Sequence, residues 1–304
     1  MFSLITFGTL AVTTHDGKPT TLASRRRALA LLALAAASPN EGVSRDRAMA
    51  LLWPELDTAS ARNNLKQTVF GIRHALEVEV FDRTSPNIRL EPREITVDLH
   101  RFERALAAGA HEDAVSEYTG PFLDGFFVPD LVEFERWVER VRQRLDLGYV
   151  RALETLAVRA RLRGEASAAI HWYRALVEHD PVSTSSVLGL MLSLAAVGEL
   201  LEALRYYEQH AKLLLEFDAK PNSKIELAAE YIRHDLKVRA GGSMPLIPAA
   251  ARGDVAGVPT PISDSTRRTS EPIRPLGRKS GPTAFPPSNS GPTTLPTNPG
   301  RPNG

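Results

Sequence analysis

The chain has 304 residues, too many for one compact core and about right for two modest domains plus a tail. Hydrophobic residues make up 43% and charged residues 24%, with a formal net charge of +1, so packed cores are possible while any affinity for nucleic acid must come from a local patch. Cysteine is absent, which excludes disulfides, thiolate nucleophiles and cysteine-rich zinc sites and fits a reducing, cytoplasmic setting.

Phe2 to Val12 reads as strand, rich in β-branched and aromatic residues, and His15-Asp16-Gly17-Lys18 carries the Asp-Gly pair that a tight hairpin prefers. A small sheet is therefore expected ahead of the first helix. Ser24 is the expected N-cap of a helix over Arg27 to Ala37 that is apolar nearly all round, which implies burial on several sides. The run Ala28 to Ala37 behind Arg25-Arg26-Arg27 imitates an export leader, but it is far shorter than the roughly 20 residues that span a bilayer. The strand-like stretch before it also serves no purpose in a leader, so no membrane partner is expected. A second helix, Arg45 to Leu52, opens at Ser44 and closes at Trp53-Pro54, because proline pushes the residue before it out of helical geometry.

The third helix follows a cap at Asp57 or Thr58. Ala61, Leu65, Val69, Ile72 and Leu76 recur at helical spacing and form one buried stripe, while Arg62, Asn63, Lys66, Gln67, Phe70 and Arg73 share the opposite face. No acidic residue lies between Asp57 and Glu77. Arg, Asn, Lys and Gln on one exposed face supply the groups that major-groove base edges accept: Arg for guanine, Asn or Gln for adenine. Val78 to Arg83 and Ile88 to Glu91 then read as two strands joined through Thr84-Ser85-Pro86-Asn87, with Arg83 and Arg89 flanking the tip. Helix, helix and basic-edged hairpin is the order of a winged helix-turn-helix. In that fold the third helix enters the major groove and wing arginines meet phosphate or the minor groove. The expected base readers are Arg62, Asn63, Lys66 and Gln67. The expected phosphate or wing contacts are Arg25, Arg26, Arg73, Arg83 and Arg89.

The run Leu51-Leu52-Trp53-Pro54-Glu55, then Ala61-Arg62-Asn63-Asn64-Leu65, then Val97-Asp98-Leu99-His100-Arg101-Phe102, resembles the Streptomyces antibiotic regulatory protein (SARP) family. Its members join an OmpR/PhoB-type winged helix to a bacterial transcriptional activation domain. The resemblance extends from about Phe2 to Leu236 and takes in Tyr118-Thr119-Gly120-Pro121-Phe122-Leu123-Asp124-Gly125-Phe126 and Phe134-Glu135-Arg136-Trp137, whose aromatics are expected as core of the first repeat helices. It departs at the wing, where Pro86-Asn87-Ile88 replaces a Gly-Tyr turn, and at Gly71, which costs a helix about 1 kcal/mol relative to alanine and suggests close approach of another backbone. The resemblance implies an activator of transcription that binds double-stranded DNA as a homodimer or in tandem on direct repeats. It also implies that the loop carrying Trp53, Glu55 and Asp57 contacts RNA polymerase.

Beyond Arg104 the pattern is helical throughout. Gly164-Glu165 recurs as Gly198-Glu199, Ala169 as Ala203 and Tyr173 as Tyr207, all at 34 residues, the tetratricopeptide (TPR) period; Gly109, Ala114 and Tyr118 keep the same internal offsets. The fold class is mainly α: a winged helix-turn-helix with a small sheet and wing over 1–104, a TPR-like all-α domain over 105–240, and a tail over 241–304. The tail holds 13 of the 22 prolines and is read as disordered, because it cannot bury enough surface to offset its chain entropy. No phosphate-binding glycine loop, nucleophile elbow or zinc-binding helix motif occurs, so no enzyme, metal or cofactor is expected. The rival readings are a TPR-type adaptor for a protein partner and a ligand-sensing scaffold, with Trp172 and Tyr206 as candidate groove residues.

Overall fold

The computed structural model describes residues 1–241. Strand β1 (Phe2–Ile5) lies centrally in a three-stranded sheet, antiparallel to β2 (Ala11–Thr14) and parallel to β3 (Ile95–Val97). The single long strand expected over Phe2 to Val12 is thus a hairpin, broken at Gly8, whose φ of +73° is one that side chains rarely tolerate. The Asp16-Gly17 turn comes after it. There the Thr14 amide donates to the Lys18 carbonyl at 2.9 Å and Thr20 is folded back onto Val12.

A 3-10 turn (Thr21–Ser24) leads into α1 (Arg26–Ala36), in which every residue from Ala28 to Ala36 is buried. Ser24 ends that turn and does not cap the helix. Arg25 holds the N-cap position without a side-chain hydrogen bond, so the first amides of α1 keep free hydrogens beside three arginines. Helix α2 (Arg45–Leu52) is capped by Ser44, which accepts from the Arg47 amide. Helix α3 (Thr58–Leu76) is capped by Asp57, which accepts from the Ala59 and Ser60 amides, and it ends at Glu77 in the left-handed region. The wing arms are less regular than expected. They pair through one bridge, Phe81 with Leu90, and a second, Val43 with Ile88, joins the wing to the α1–α2 loop. Gly42 permits that approach, since a Cβ there would stand 2.8 Å from the Ile88 carbonyl oxygen.

Seven helices follow: α4 (Asp98–Ala107), α5 (His111–Glu117), α6 (Val132–Leu162), α7 (Ala166–His179), α8 (Thr184–Ala196), α9 (Leu200–Glu216) and α10 (Ser223–Gly241). Gly109, Gly164 and Gly198 make the turns of the pairs α4/α5, α6/α7 and α8/α9 at φ of +69°, +73° and +89°. Ala114, Ala169 and Ala203 are buried where the paired helices cross. Three pairs with common offsets are the TPR-like repeat read from the sequence. The expected disorder of residues 241–304 lies outside the described residues, apart from Gly241, which ends α10.

The core falls into two clusters. One runs from Leu4 to Leu145, the other from Leu153 to Ile232, and the break lies inside α6. The winged helix therefore shares its core with α4, α5 and the first half of α6. Phe122 and Phe134 are fully buried in this shared core and Trp137 nearly so. The chain Thr119 to Asp124 runs beside Thr6 to Gly8: Leu123 donates to the Thr6 carbonyl, Asp124 to that of Gly8, and Gly8 to that of Pro121. Arg142 of α6 holds the same segment by donating to the Phe122 and Leu123 carbonyls, both at 2.7 Å. Asp98 completes the junction. Its buried carboxylate accepts from the amides of Thr6, Phe7 and Leu99 and from the Thr6 hydroxyl, all within 2.9 Å.

Candidate nucleic-acid interface

The apolar stripe of α3 seats it on the core. Ala61, Leu65, Ile72 and Leu76 are buried and Val69 is half-buried. That fixes the rotation of the helix, so Arg62, Asn63, Lys66, Gln67, Phe70 and Arg73 all face outward. With the Asp57 carboxylate bound to the first amides and nothing acidic in the helix itself, the exposed face is free of internal negative charge. Hydrogen bonds from the Ser60 side chain and backbone hold the Asp57 carboxyl below the usual carboxylate range.

The nine residues expected at DNA divide into two groups. Arg62, Asn63, Lys66 and Gln67 make no side-chain hydrogen bond or ion pair among the described residues, and their polar ends are available. The five expected phosphate or wing arginines are all engaged. Arg83 donates twice to one oxygen of Glu79, at 2.8 and 2.6 Å, and Arg73 approaches the same oxygen at 3.7 Å. Arg89 is paired with Asp82 and also reaches the Asn40 carbonyl. Asp82 accepts from the Thr84 hydroxyl and amide as well, and these bonds together with Arg89 draw its carboxyl down to about 2. Arg25 donates to the Gly71 carbonyl of α3 at 3.3 Å, and Arg26 donates to the Phe127 carbonyl. An arginine has five donors, so each of these keeps hydrogens for a second acceptor.

Gly71 has an explanation the sequence did not supply. A Cβ at that position would stand 3.2 Å from Arg25 Nη1, so the close approach is by a side chain and not by another backbone. Arg25, Arg26, Arg27, Trp53, Asn64, Gln67 and Gly71 border a cleft of about 270 Å3 between α1 and α3. Of the three residues implied for polymerase contact, Trp53 is 3% exposed and serves as core, with Arg27 lying 5.9 Å over its ring. Glu55 is exposed and paired with Arg27 at 2.9 Å, and Asp57 is the exposed cap of α3. Sequence reasoning missed Glu79 and Asp82 as partners of the wing arginines. It also missed the role of Asp98, although the Val97-Asp98-Leu99 run was visible. On the repeats, Tyr206 accepts from Arg174 at 3.4 Å, in a contact that joins α7 to α9, and Trp172 is half-buried.

Residues 97–233 match the family model of the bacterial transcriptional activator domain. The chain carries that activator domain. Preceded by a winged helix, it has the build of the SARP-type transcriptional regulators; the matched family is not an enzyme class. The fold is similar to that of Mycobacterium tuberculosis EmbR, solved in complex with a low affinity phosphopeptide, with a TM-score of 0.54 and 23% identity. The alignment covers 77% of this chain and 65% of the EmbR chain, and at that identity the likeness is one of fold. Among curated proteins none matches this chain. No helix among its described residues is long and apolar enough to cross a membrane.

Proposed function

We propose that this regulator is a cytoplasmic activator that binds promoter double-stranded DNA by placing α3 in the major groove. One observation carries the reading: the outward face of α3 offers Arg62, Asn63, Lys66 and Gln67 with unoccupied polar ends and no carboxylate of its own. Those four read base edges. Arg25 and Arg26, beside the uncapped start of α1, hold one phosphate strand. Arg73, Arg83 and Arg89 meet the other side of the groove, adding phosphate to the carboxylates they already touch. The activator domain arranges copies as a homodimer or in tandem on direct repeats, and the exposed Glu55 and Asp57 of the α2–α3 loop present an acidic contact for RNA polymerase.

Selection of bound fragments from genomic DNA by the full chain tests the reading, followed by titration of a selected duplex at several salt concentrations. Binding should weaken steeply as salt rises. Lys66→Ala or Arg62→Ala should weaken the specific complex by about 1 to 3 kcal/mol and relax preference at one base pair. Equal affinity for all fragments at low salt defeats the proposal. A second reading, an adaptor for protein partners, draws on the phosphopeptide that accompanies EmbR in its structure. It requires binding through the helical repeats that ignores added DNA.

A further inference from the structure

Phe70 stands out on α3. It is 67% exposed, while the other large apolar side chains of that helix, Leu65, Ile72 and Leu76, are buried and Val69 is half-buried. Single exposed apolar residues on an ordinary surface need no explanation. This ring, however, sits in the middle of the face that carries Lys66, Gln67 and Arg73, and phenylalanine is a weaker helix former than the lysine, glutamine or arginine around it. Its ring lies parallel to that of His74, one turn further on, with an interplanar angle of 2° and centroids 6.3 Å apart.

Asn63, Gln67, Phe70 and His74 follow one another at steps of four, three and four residues, a single stripe along the outward face. Phe70 lies about 4.5 Å along the axis from Gln67, which puts it within reach of the next base pair, about 3.4 Å further along the duplex. The edge of each base pair in the major groove is almost wholly hydrogen-bonding, and its one apolar group is the C5-methyl of thymine. The geometry points to Phe70 as a specificity-determining residue that reads a thymine methyl group, next to a base pair read by Gln67. The assignment rests on the proposed entry of α3 into the major groove.

The experiment uses the full chain and a duplex selected from a random pool. Each thymine of the bound site is replaced in turn by uracil, which removes the methyl and leaves every hydrogen-bonding group in place. One thymine, or two neighbours, should lose about fourfold in affinity, the value for burying one methyl group. In Phe70→Ala the same replacement should change nothing, while salt-dependent binding to random duplex is kept. Four outcomes overturn the assignment. If uracil is tolerated at every thymine of a selected site, the methyl reading fails and DNA recognition by α3 stands. If the sensitive thymine is equally sensitive in Phe70→Ala, another residue reads it. A Phe70→Ala protein with unchanged affinity and uracil profile takes the ring out of recognition. If the wild-type chain selects no duplex, recognition by α3 fails and the assignment falls with it.

Discussion

Replacing Asp98 by alanine tests the account of how the winged helix is fastened to the activator domain. The carboxylate is 6% exposed and receives four hydrogen bonds: the Thr6 amide at 2.7 Å, the Phe7 amide at 2.9 Å, the Thr6 hydroxyl at 2.6 Å and the Leu99 amide at 2.7 Å. Thr6 is fully buried and Phe7 is 1% exposed, so water does not reach the amides that alanine would strand. Each stranded buried donor costs about 1 to 3 kcal/mol, so two such amides and a hydroxyl give an expected loss of about 3 to 9 kcal/mol. That is a large part of the roughly 5 to 15 kcal/mol that holds a domain folded. Asp98→Asn should recover only part of that loss. Its carbonyl oxygen can keep the Thr6 and Phe7 amides and its nitrogen can donate to the Thr6 hydroxyl, but that nitrogen meets the Leu99 amide as a second donor. Urea unfolding followed by circular dichroism gives both values by linear extrapolation. An alanine variant within about 1 kcal/mol of wild type, or an asparagine variant as stable as wild type, would refute the reasoning that this junction depends on a buried acceptor.

Glu79→Gln removes the one negative charge that Arg73 and Arg83 share and that offsets part of the charge they offer to phosphate, so binding to random-sequence duplex should tighten, with a log-log salt slope steeper by up to about 1 unit. Fluorescence anisotropy across a salt series measures this, and an unchanged slope places both arginines away from the duplex. Gly189→Ala would put a Cβ 2.2 Å from the Tyr173 ring, which is buried between α7 and α8; despite the better helix propensity of alanine, urea unfolding should show a loss of about 1 to 3 kcal/mol. Asp82 has a carboxyl depressed from 3.8 to about 2, so its contribution to wing stability is complete above pH 4 and is lost as pH falls through about 2. An NMR titration of its side-chain carbonyl with a midpoint near 4 would contradict the Thr84 and Arg89 contacts.

Local chemistry carried much of the fold into the sequence. The stripe Ala61, Leu65, Val69, Ile72 and Leu76, the caps Ser44 and Asp57, and the 34-residue echo of Gly164, Ala169 and Tyr173 were all legible. Each rests on interactions between residues three or four apart, or on glycine's access to positive φ, and needs no knowledge of distant partners. For the same reason the outward set Arg62, Asn63, Lys66 and Gln67 could be named beforehand. Tertiary structure alone decided the rest. Which carboxylate each wing arginine meets, the seating of Arg25 on Gly71, and the pairing of Thr119 to Asp124 with Thr6 to Gly8 all depend on where the chain returns to itself. The same holds for Asp98, which is an ordinary first-turn acid by sequence and becomes the anchor of two elements because Thr6 arrives 92 residues away. Backbone pairing and ion pairing between distant segments leave no periodic trace, so the placement of the two-cluster core, broken inside α6, was not written in any local pattern.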